Sequence, residues 1–513
     1  MRRFIHILIC CLLTLSALPS CFKDNGNYDY KDLVSIDIDD NTVPTAVVKR
    51  QQEYLVITPS VKQGADDSNL SFEWRLKDNL WAPDPATGEF IDEVIATSKN
   101  LNYLLDLPAR QYHLLLYVSD KTNGVTEYRQ IDLTVQTIAP QGLMVLHGDN
   151  ASCDVSIVVN PKINATLSGF DQDNVQHHLF SDNNDGRKAE GAPVMVRQGA
   201  GGGGDYTYIF TNGHSGGYRT ASTDLKIIGD YRSNFRDMPA SEVGFQGIAS
   251  WSYNELLVNN GDLYYCSQNA PNVHIPFGVK CFGLDYEAAP YIGTHRNGYV
   301  YGAFYDAKNR RFLYINYQQT ILQFNAPASG RFDMNSVGKD MVYGEMGFPA
   351  DFWYCVMQDG SDVATRNLYV VDLNQSVYNA QSTNGAQIID ICAATEMAVS
   401  KYFAFGTRGY VMYHATNHKV YFNNYNGDRQ SALLYDVLVH YPNYEITSMQ
   451  LFKTSRNSVY DSKLLFLGIY NPVTQQGMLL QFVVNETNGT FEESAPTVYG
   501  GFGRIAHIDY KWK

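Results

Sequence analysis

Down most of this 513-residue chain a polar turn is followed, again and again, by a short apolar and aromatic run. The runs are Val155-Ser156-Ile157-Val158, Tyr206-Thr207-Tyr208-Ile209-Phe210, Leu263-Tyr264-Tyr265, Phe312-Leu313-Tyr314-Ile315, Leu368-Tyr369-Val370-Val371, Val420-Tyr421-Phe422 and Leu464-Leu465-Phe466-Leu467. With Ile157, Tyr208, Tyr264, Tyr314, Tyr369, Tyr421 and Leu465 as markers, the steps are 51, 56, 50, 55, 52 and 44 residues. A repeat of this length holds about four strands, and one such sheet cannot cover both of its own faces. Neighbouring sheets must therefore stack, and the period predicts the radial blades of a β-propeller over residues 142–513, seven-bladed by the marker count. Asn259-Asn260-Gly261-Asp262 and Asp306-Ala307-Lys308-Asn309 suit the hairpins, because Asn, Asp and Gly tolerate the positive φ of tight turns. Arg504 to Tyr510 is expected to pair with Leu143 to Met144-Val145-Leu146 and shut the ring. Two unrelated β domains are the alternative, since the repeats share a pattern and little identity.

Before the linker Ile138-Ala139-Pro140-Gln141, residues 32–137 alternate with a period of two, as in Tyr54-Leu55-Val56-Ile57-Thr58 and Leu70-Ser71-Phe72-Glu73-Trp74-Arg75-Leu76. About seven short strands separated by turn residues predict a β-sandwich, with Trp74 the anchor between its sheets. The class is all-β throughout. The Glu73-Trp74 strand, the strand Tyr112 to Asp120 ending in Val-Ser-Asp, and the closing Ile131-Asp132-Leu133-Thr134-Val135 resemble a PKD domain, an immunoglobulin-like sandwich. The segment from Cys21 to Leu33, with Asn27-Tyr28-Asp29-Tyr30-Lys31-Asp32, is similar to the PKD-like lipoprotein family of Bacteroidetes, and Leu256 to Tyr264 resembles that family's second half. The resemblance implies an outer-membrane lipoprotein that accompanies SusC/SusD-type uptake systems.

Residues 1–20 read as an export leader. Arg2 and Arg3 precede an apolar stretch from Phe4 to Leu18, too short to span a bilayer, and Leu18-Pro19-Ser20-Cys21 resembles a lipobox. Cys21 is the expected lipid attachment site and residues 21–31 a flexible tether, so acyl chains would hold the protein on a membrane without a helix. Lys23-Asp24 resembles the surface-export tags of Bacteroidetes lipoproteins, which places the chain on the outer face. Beyond Cys10, Cys11 and Cys21, the remaining Cys153, Cys266, Cys281, Cys355 and Cys392 are odd in number and form no zinc-type spacing; small buried hydrophobes are the expected role.

The charge balance, 39 Lys plus Arg against 53 Asp plus Glu, disfavours nucleic acid as a partner. Gly213-His214-Ser215-Gly216-Gly217 fits a nucleophile elbow by its letters, but the β-rich sequence after it predicts a hairpin tip in place of the helix an elbow needs. Gly199 to Gly204 lacks the Lys and Ser or Thr of a phosphate loop, and Asp182 to Gly186 lacks the calcium loop's closing Glu. His177 and His178 would point to opposite faces of a strand and share no metal. No catalytic residue, metal or cofactor is assigned. Aromatics near turns remain as candidate ligand contacts: Trp251 and Tyr253, Trp353 and Tyr354 with Asp351, and Tyr218 with Arg219. The function expected is capture of an extracellular nutrient, a glycan first and a peptide otherwise, as an accessory to an uptake system. A polysaccharide-degrading enzyme built on the propeller and a protein-binding accessory subunit are the alternatives.

Overall fold

The computed structural model describes residues 35–512, apart from 52, 63–66, 80–89, 108–109, 137–138, 167–172, 200–205, 238–242, 271–272, 295–299, 361, 375–379 and 455–457. The leader, Cys21, its tether and Gly201 to Gly204 lie outside the described residues. The described chain is built from strands joined by turns and irregular segments, with very little helix, and divides into two compact units between Val135 and Gln136.

The first unit holds a five-stranded sheet in the order Ala46–Arg50, Thr126–Gln136, Gln111–Asp120, Leu70–Asp78, Asp92–Ala96, the last four antiparallel, with two small strand pairs, Tyr54–Ile57 with Leu101–Leu104 and Asp37–Ile38 with Val61–Lys62. Strand alternation sends Leu70, Trp74 and Leu76 inward and Ser71, Glu73, Arg75 and Lys77 outward. One apolar cluster joins these sheets, with Leu55 and Ile57 from one pair, Ile38 and Val61 from the other, and Leu114, Leu116, Ile131 and Leu133 from the large sheet. Trp74 is fully buried in it, and its indole Nε1 donates to the Ser98 carbonyl at 3.0 Å, so the ring is buried with its one donor satisfied.

The described residues of the second unit form seven antiparallel sheets in chain order. The first combines Gly142–Gly148, Ser152–Val159 and Asn174–Gln176 with the last strand of the chain, Arg504–Lys511. The others begin at Pro193–Gln198, Phe245–Trp251, Ala288–Gly293, Asp340–Met346, Tyr402–Phe405 and Glu445–Leu451. The third has three strands where its neighbours have four. Its edge strand Asp262–Ser267 is covered by irregular chain, with Gly278 N–H donating to the Tyr265 carbonyl and Cys281 N–H to that of Leu263. Irregular backbone thus occupies the edge hydrogen bonds that a fourth strand would take.

The sheets pack in a cycle, a propeller-like arrangement. A separate apolar cluster joins the first sheet to the second, and so on to the sixth and seventh. A seventh cluster returns from the last sheet to the first through Phe466, Leu479 and Phe502 against Leu143, Val145, Ile505 and Ile508. The expected terminal pairing is present, with Leu143 opposite Tyr510, Met144 opposite Asp509, Val145 opposite Ile508 and Leu146 opposite His507. Strands such as Leu464–Asn471 are covered on both faces and read as continuous apolar runs, because each face packs against a different neighbouring sheet.

Phe466 is 1% exposed and Trp74 is fully buried. Phe466→Ala is expected to destabilise the second unit and Trp74→Ala the first, each by about 3–5 kcal/mol. Hydrogen exchange in denaturant, read peptide by peptide, will show each substitution lowering protection in its own unit only.

Candidate functional site

The C-terminal ends of the sheets' first strands, and that of the chain's last strand Arg504–Lys511 in the first sheet, gather charged and polar side chains that the surrounding apolar clusters do not absorb. Arg197, one residue from the end of its strand, sets Nη1 3.5 Å from Asp509 Oδ1, while the Gln198 N–H donates to Asp509 Oδ2 at 2.8 Å. Burial raises the Asp509 pKa and the Arg197 charge opposes that shift. Gln450 clamps the chain's last strand, accepting from Ile508 N–H at 2.6 Å and donating to the Ile508 carbonyl at 3.1 Å and to His507 Nε2 at 3.2 Å. Across from these, Lys453 Nζ lies 2.6 Å from Glu345 Oε1 and donates to the Met346 carbonyl at 3.0 Å, which ties the seventh sheet to the fifth. The other Glu345 oxygen accepts from Phe405 N–H of the sixth sheet at 2.8 Å. Both Glu345 and Lys453 keep a quarter of their side-chain surface in solvent, so this pair contributes little to stability and stays within reach of a ligand.

A second constellation lies between the second and third sheets. Glu255 is fully buried, and its Oε2 accepts from Tyr208 at 3.0 Å, Gln268 at 3.2 Å and Tyr206 at 3.4 Å. Arg219 Nη1 donates to His274 Nδ1, which leaves the proton on Nε2 to be donated to the Tyr208 hydroxyl at 3.2 Å. A single polarised chain therefore runs from guanidinium through imidazole and phenol to carboxylate. Burial first and Arg219 second hold the His274 pKa down to about 3, and burial followed by the Glu255 charge pushes the Tyr208 phenol well up. Both groups stay neutral near pH 7, and the network links the second sheet to the third.

In the first sheet, hydrogen bonds fix the tautomer of His147. Gly503 N–H donates to His147 Nδ1 at 3.0 Å, so Nε2 carries the proton and donates to Ser156 Oγ at 2.8 Å. A ring donating to the serine cannot also deprotonate it. His177 and His178 follow the strand Asn174–Gln176 and do not lie on it; His178 has a φ of 57°, and the two rings sit 5.9 Å apart. The opposite-face geometry expected of them therefore does not apply, because the strand ends one residue earlier. Among the described residues no group of three or more His, Cys, Asp or Glu is placed to hold a metal ion.

Of the residues singled out from the sequence, Trp251, Trp353, Tyr354 and Tyr218 are buried in four of the clusters between sheets. Trp353 and Tyr354 are consecutive and face opposite neighbours. Arg219 belongs to the Glu255 chain. Asp351 has a φ of 67° in the turn before Phe352–Asp359, and its carbonyl accepts from Leu373 N–H at 3.0 Å. Tyr253 is half exposed, in the hairpin after Phe245–Trp251. Ser215 lies in the hairpin between Tyr206–Thr211 and Gly217–Ala221, with a strand after it as expected. Gly217 has a φ of 105°, and a Cβ there would stand 1.9 Å from the Ile209 carbonyl, which explains the glycine without catalysis. Asn184 of the acidic turn donates to the Phe180 and Leu225 carbonyls at 2.7 and 2.9 Å. Cys153, Cys266, Cys281 and Cys355 are buried free thiols; Cys392 is free and exposed, unlike the buried role expected of it. Arg197, Asp509, Glu345, Gln450 and Lys453 were not singled out, and only the sheet order brings them together.

Residues 21–193 match the model of the PKD-like family, as the motifs implied. The match continues past the sandwich through the first sheet of the second unit. No curated protein matches the chain. Among solved structures it is similar to a quinonprotein alcohol dehydrogenase-like protein (BT1487) from Bacteroides thetaiotaomicron, at 10% identity and a TM-score of 0.39, over 93% of this chain and 99% of that one. It is also similar to apo AztD from Citrobacter koseri, at 9% identity and a TM-score of 0.36, over 85% and 100% of the two chains. The WD40 domain of Pan2 from Neurospora crassa is similar at 8% identity and a TM-score of 0.36, over 62% and 82%.

His147 and His414 are buried as neutral rings, each held down to about 3 by burial first and neighbouring positive charge second. Unfolding releases them to the ordinary value of 6.5, so between about 6.5 and about 3 the unfolded chain binds protons that the folded chain refuses. Stability present above 6.5 is lost as the pH falls, by about 2 kcal/mol per ring at pH 5. Denaturant titrations at pH 7 and pH 5 are expected to show this loss, and His414→Gln to reduce it by about one ring's share; equal loss in the variant would contradict the assignment.

Proposed function

We propose that this chain is a lipid-anchored protein of the outer-membrane surface, held by acylated Cys21, that binds an extracellular glycan for a SusC/SusD-type uptake system. In this reading the seven sheets are the blades of a seven-bladed propeller, and their first strands surround a central channel. The observation that supports binding is the convergence of Arg197, Asp509, Gln450, Glu345 and Lys453 from four sheets, at the ends of the strands that carry or precede them.

A sugar hydroxyl both donates and accepts, so it pairs with carboxylate, amide, guanidinium and ammonium groups held at fixed positions. Tyr253 and Tyr317, each about half exposed, add apolar faces at the same end. They occupy the hairpins after a first strand, Phe245–Trp251, and a third strand, Arg311–Asn316, and in an antiparallel sheet first and third strands end on the same side. A rigid frame with preplaced polar groups keeps the ordering cost of binding low. The family resemblance supplies the setting, an outer-membrane lipoprotein beside an uptake system.

Two measurements test the reading. Cys21→Ser is expected to shift the chain from the membrane fraction to the soluble one. Arg197→Ala combined with Lys453→Ala is expected to weaken retention in polysaccharide affinity gels by about tenfold, the loss of two charge-assisted contacts. Unchanged retention of every polysaccharide by that variant would remove the channel mouth as the binding surface.

A further inference from the structure

The outer face of the five-stranded sheet in the first unit carries a feature that the channel mouth does not explain. An open depression of about 450 Å³ lies on it, within the ~300–1,000 Å³ of small-ligand sites, lined by Glu73, Arg75, Tyr117, Ser119 and Thr126 among others. The strand register places these groups. Glu73 is opposite Tyr117, which is opposite Tyr128, and the adjoining row runs Ser71, Ser119, Thr126. The Tyr117 and Tyr128 rings are 5.9 Å apart and inclined by 30°, and Tyr128 is 57% exposed. Two tyrosines side by side thus form an apolar platform, bordered on one side by hydroxyls and on the other by charge.

The two cations and two carboxylates beside the platform pair off. Arg75 bonds Glu73 at 3.1 Å and Asp92 at 2.9 Å, and Lys77 lies 3.5 Å from Asp92. The hydroxyl row is hydrogen-bonded too, with Ser119 Oγ 2.8 Å from Thr126 Oγ1. An anionic or cationic ligand would find no net field to attract it. An uncharged ligand with one apolar face and a rim of hydroxyls matches both the platform and its border: the ring stacks on the tyrosines and its hydroxyls meet Glu73, Arg75 and the Ser and Thr groups.

We propose that this face is a second binding site, for neutral pyranose units of a glycan, carried by the sandwich and independent of the channel mouth. The sandwich is then a ligand-gripping unit in its own right, beyond the role of a spacer. Two weak sites on one chain would raise retention of a long polymer well above that of either site alone.

The test is calorimetric titration of the full chain carrying Arg197→Ala and Lys453→Ala, which removes the mouth, with maltohexaose, cellohexaose and mannohexaose, and with a galacturonate hexamer as the charged control. Saturable binding of at least one neutral hexasaccharide is expected, weakened about tenfold or more by Tyr128→Ala and retained by Tyr128→Phe. Tyr128 is an exposed side chain, and the Phe variant separates loss of stacking from loss of fold. No neutral binding in this background, indifference to Tyr128→Ala, or preference for the galacturonate hexamer each overturns the proposal. Binding by the native chain that vanishes with the mouth substitutions alone overturns it while leaving the channel-mouth reading intact.

Discussion

The second unit depends on one pairing, the antiparallel register of Gly142–Gly148 with Arg504–Lys511. Sheets that stack face to face in a row leave an apolar face bare at each end of the row, and the cost of exposure is set by area. Placing the chain's last strand in its first sheet removes both bare faces together. The cluster of Leu143, Val145, Phe466, Ile505 and Ile508 is the physical form of that closure. Buried Lys511 strengthens it at the chain end, where Nζ donates to the Ala139 carbonyl at 2.9 Å. Each remaining cluster between sheets can be dry only while this one is intact.

The same closure decides where polar groups sit. Apolar faces fill the space between sheets, so charged side chains persist either at strand ends, as with Glu345 and Lys453, or inside buried hydrogen-bonded chains, as with Arg219 to Glu255. The first arrangement leaves groups open to a ligand. The second spends its hydrogen bonds internally and fixes the fit between two sheets. The sandwich offers a third arrangement, a sheet face whose tyrosines and paired charges lie in register.

Much of the architecture was legible because strand periodicity and turn chemistry are local. The seven marker residues each lie in a strand of a different sheet, and the closing strand was readable from its position and apolar pattern. The aromatic candidates were less legible. In a sheet covered on both faces alternation carries no inside or outside, so Trp353 and Tyr354 looked like ligand contacts beside a turn and are packing for two different clusters. The missing fourth strand of the third sheet was hidden because its aromatic run resembles the others. The strand-end charges and the Tyr117–Tyr128 pair depend on which strands become neighbours and in what register, and single residues far apart in the chain give no sign of that.

The closure itself is most directly tested by native-state hydrogen exchange on the terminal strands. The account predicts that amides of 143–147 and 505–510 exchange together, at the slowest rate in the second unit, only through its global unfolding. Exchange of 505–510 through a low-energy local opening, with the other sheets still protected, would contradict it.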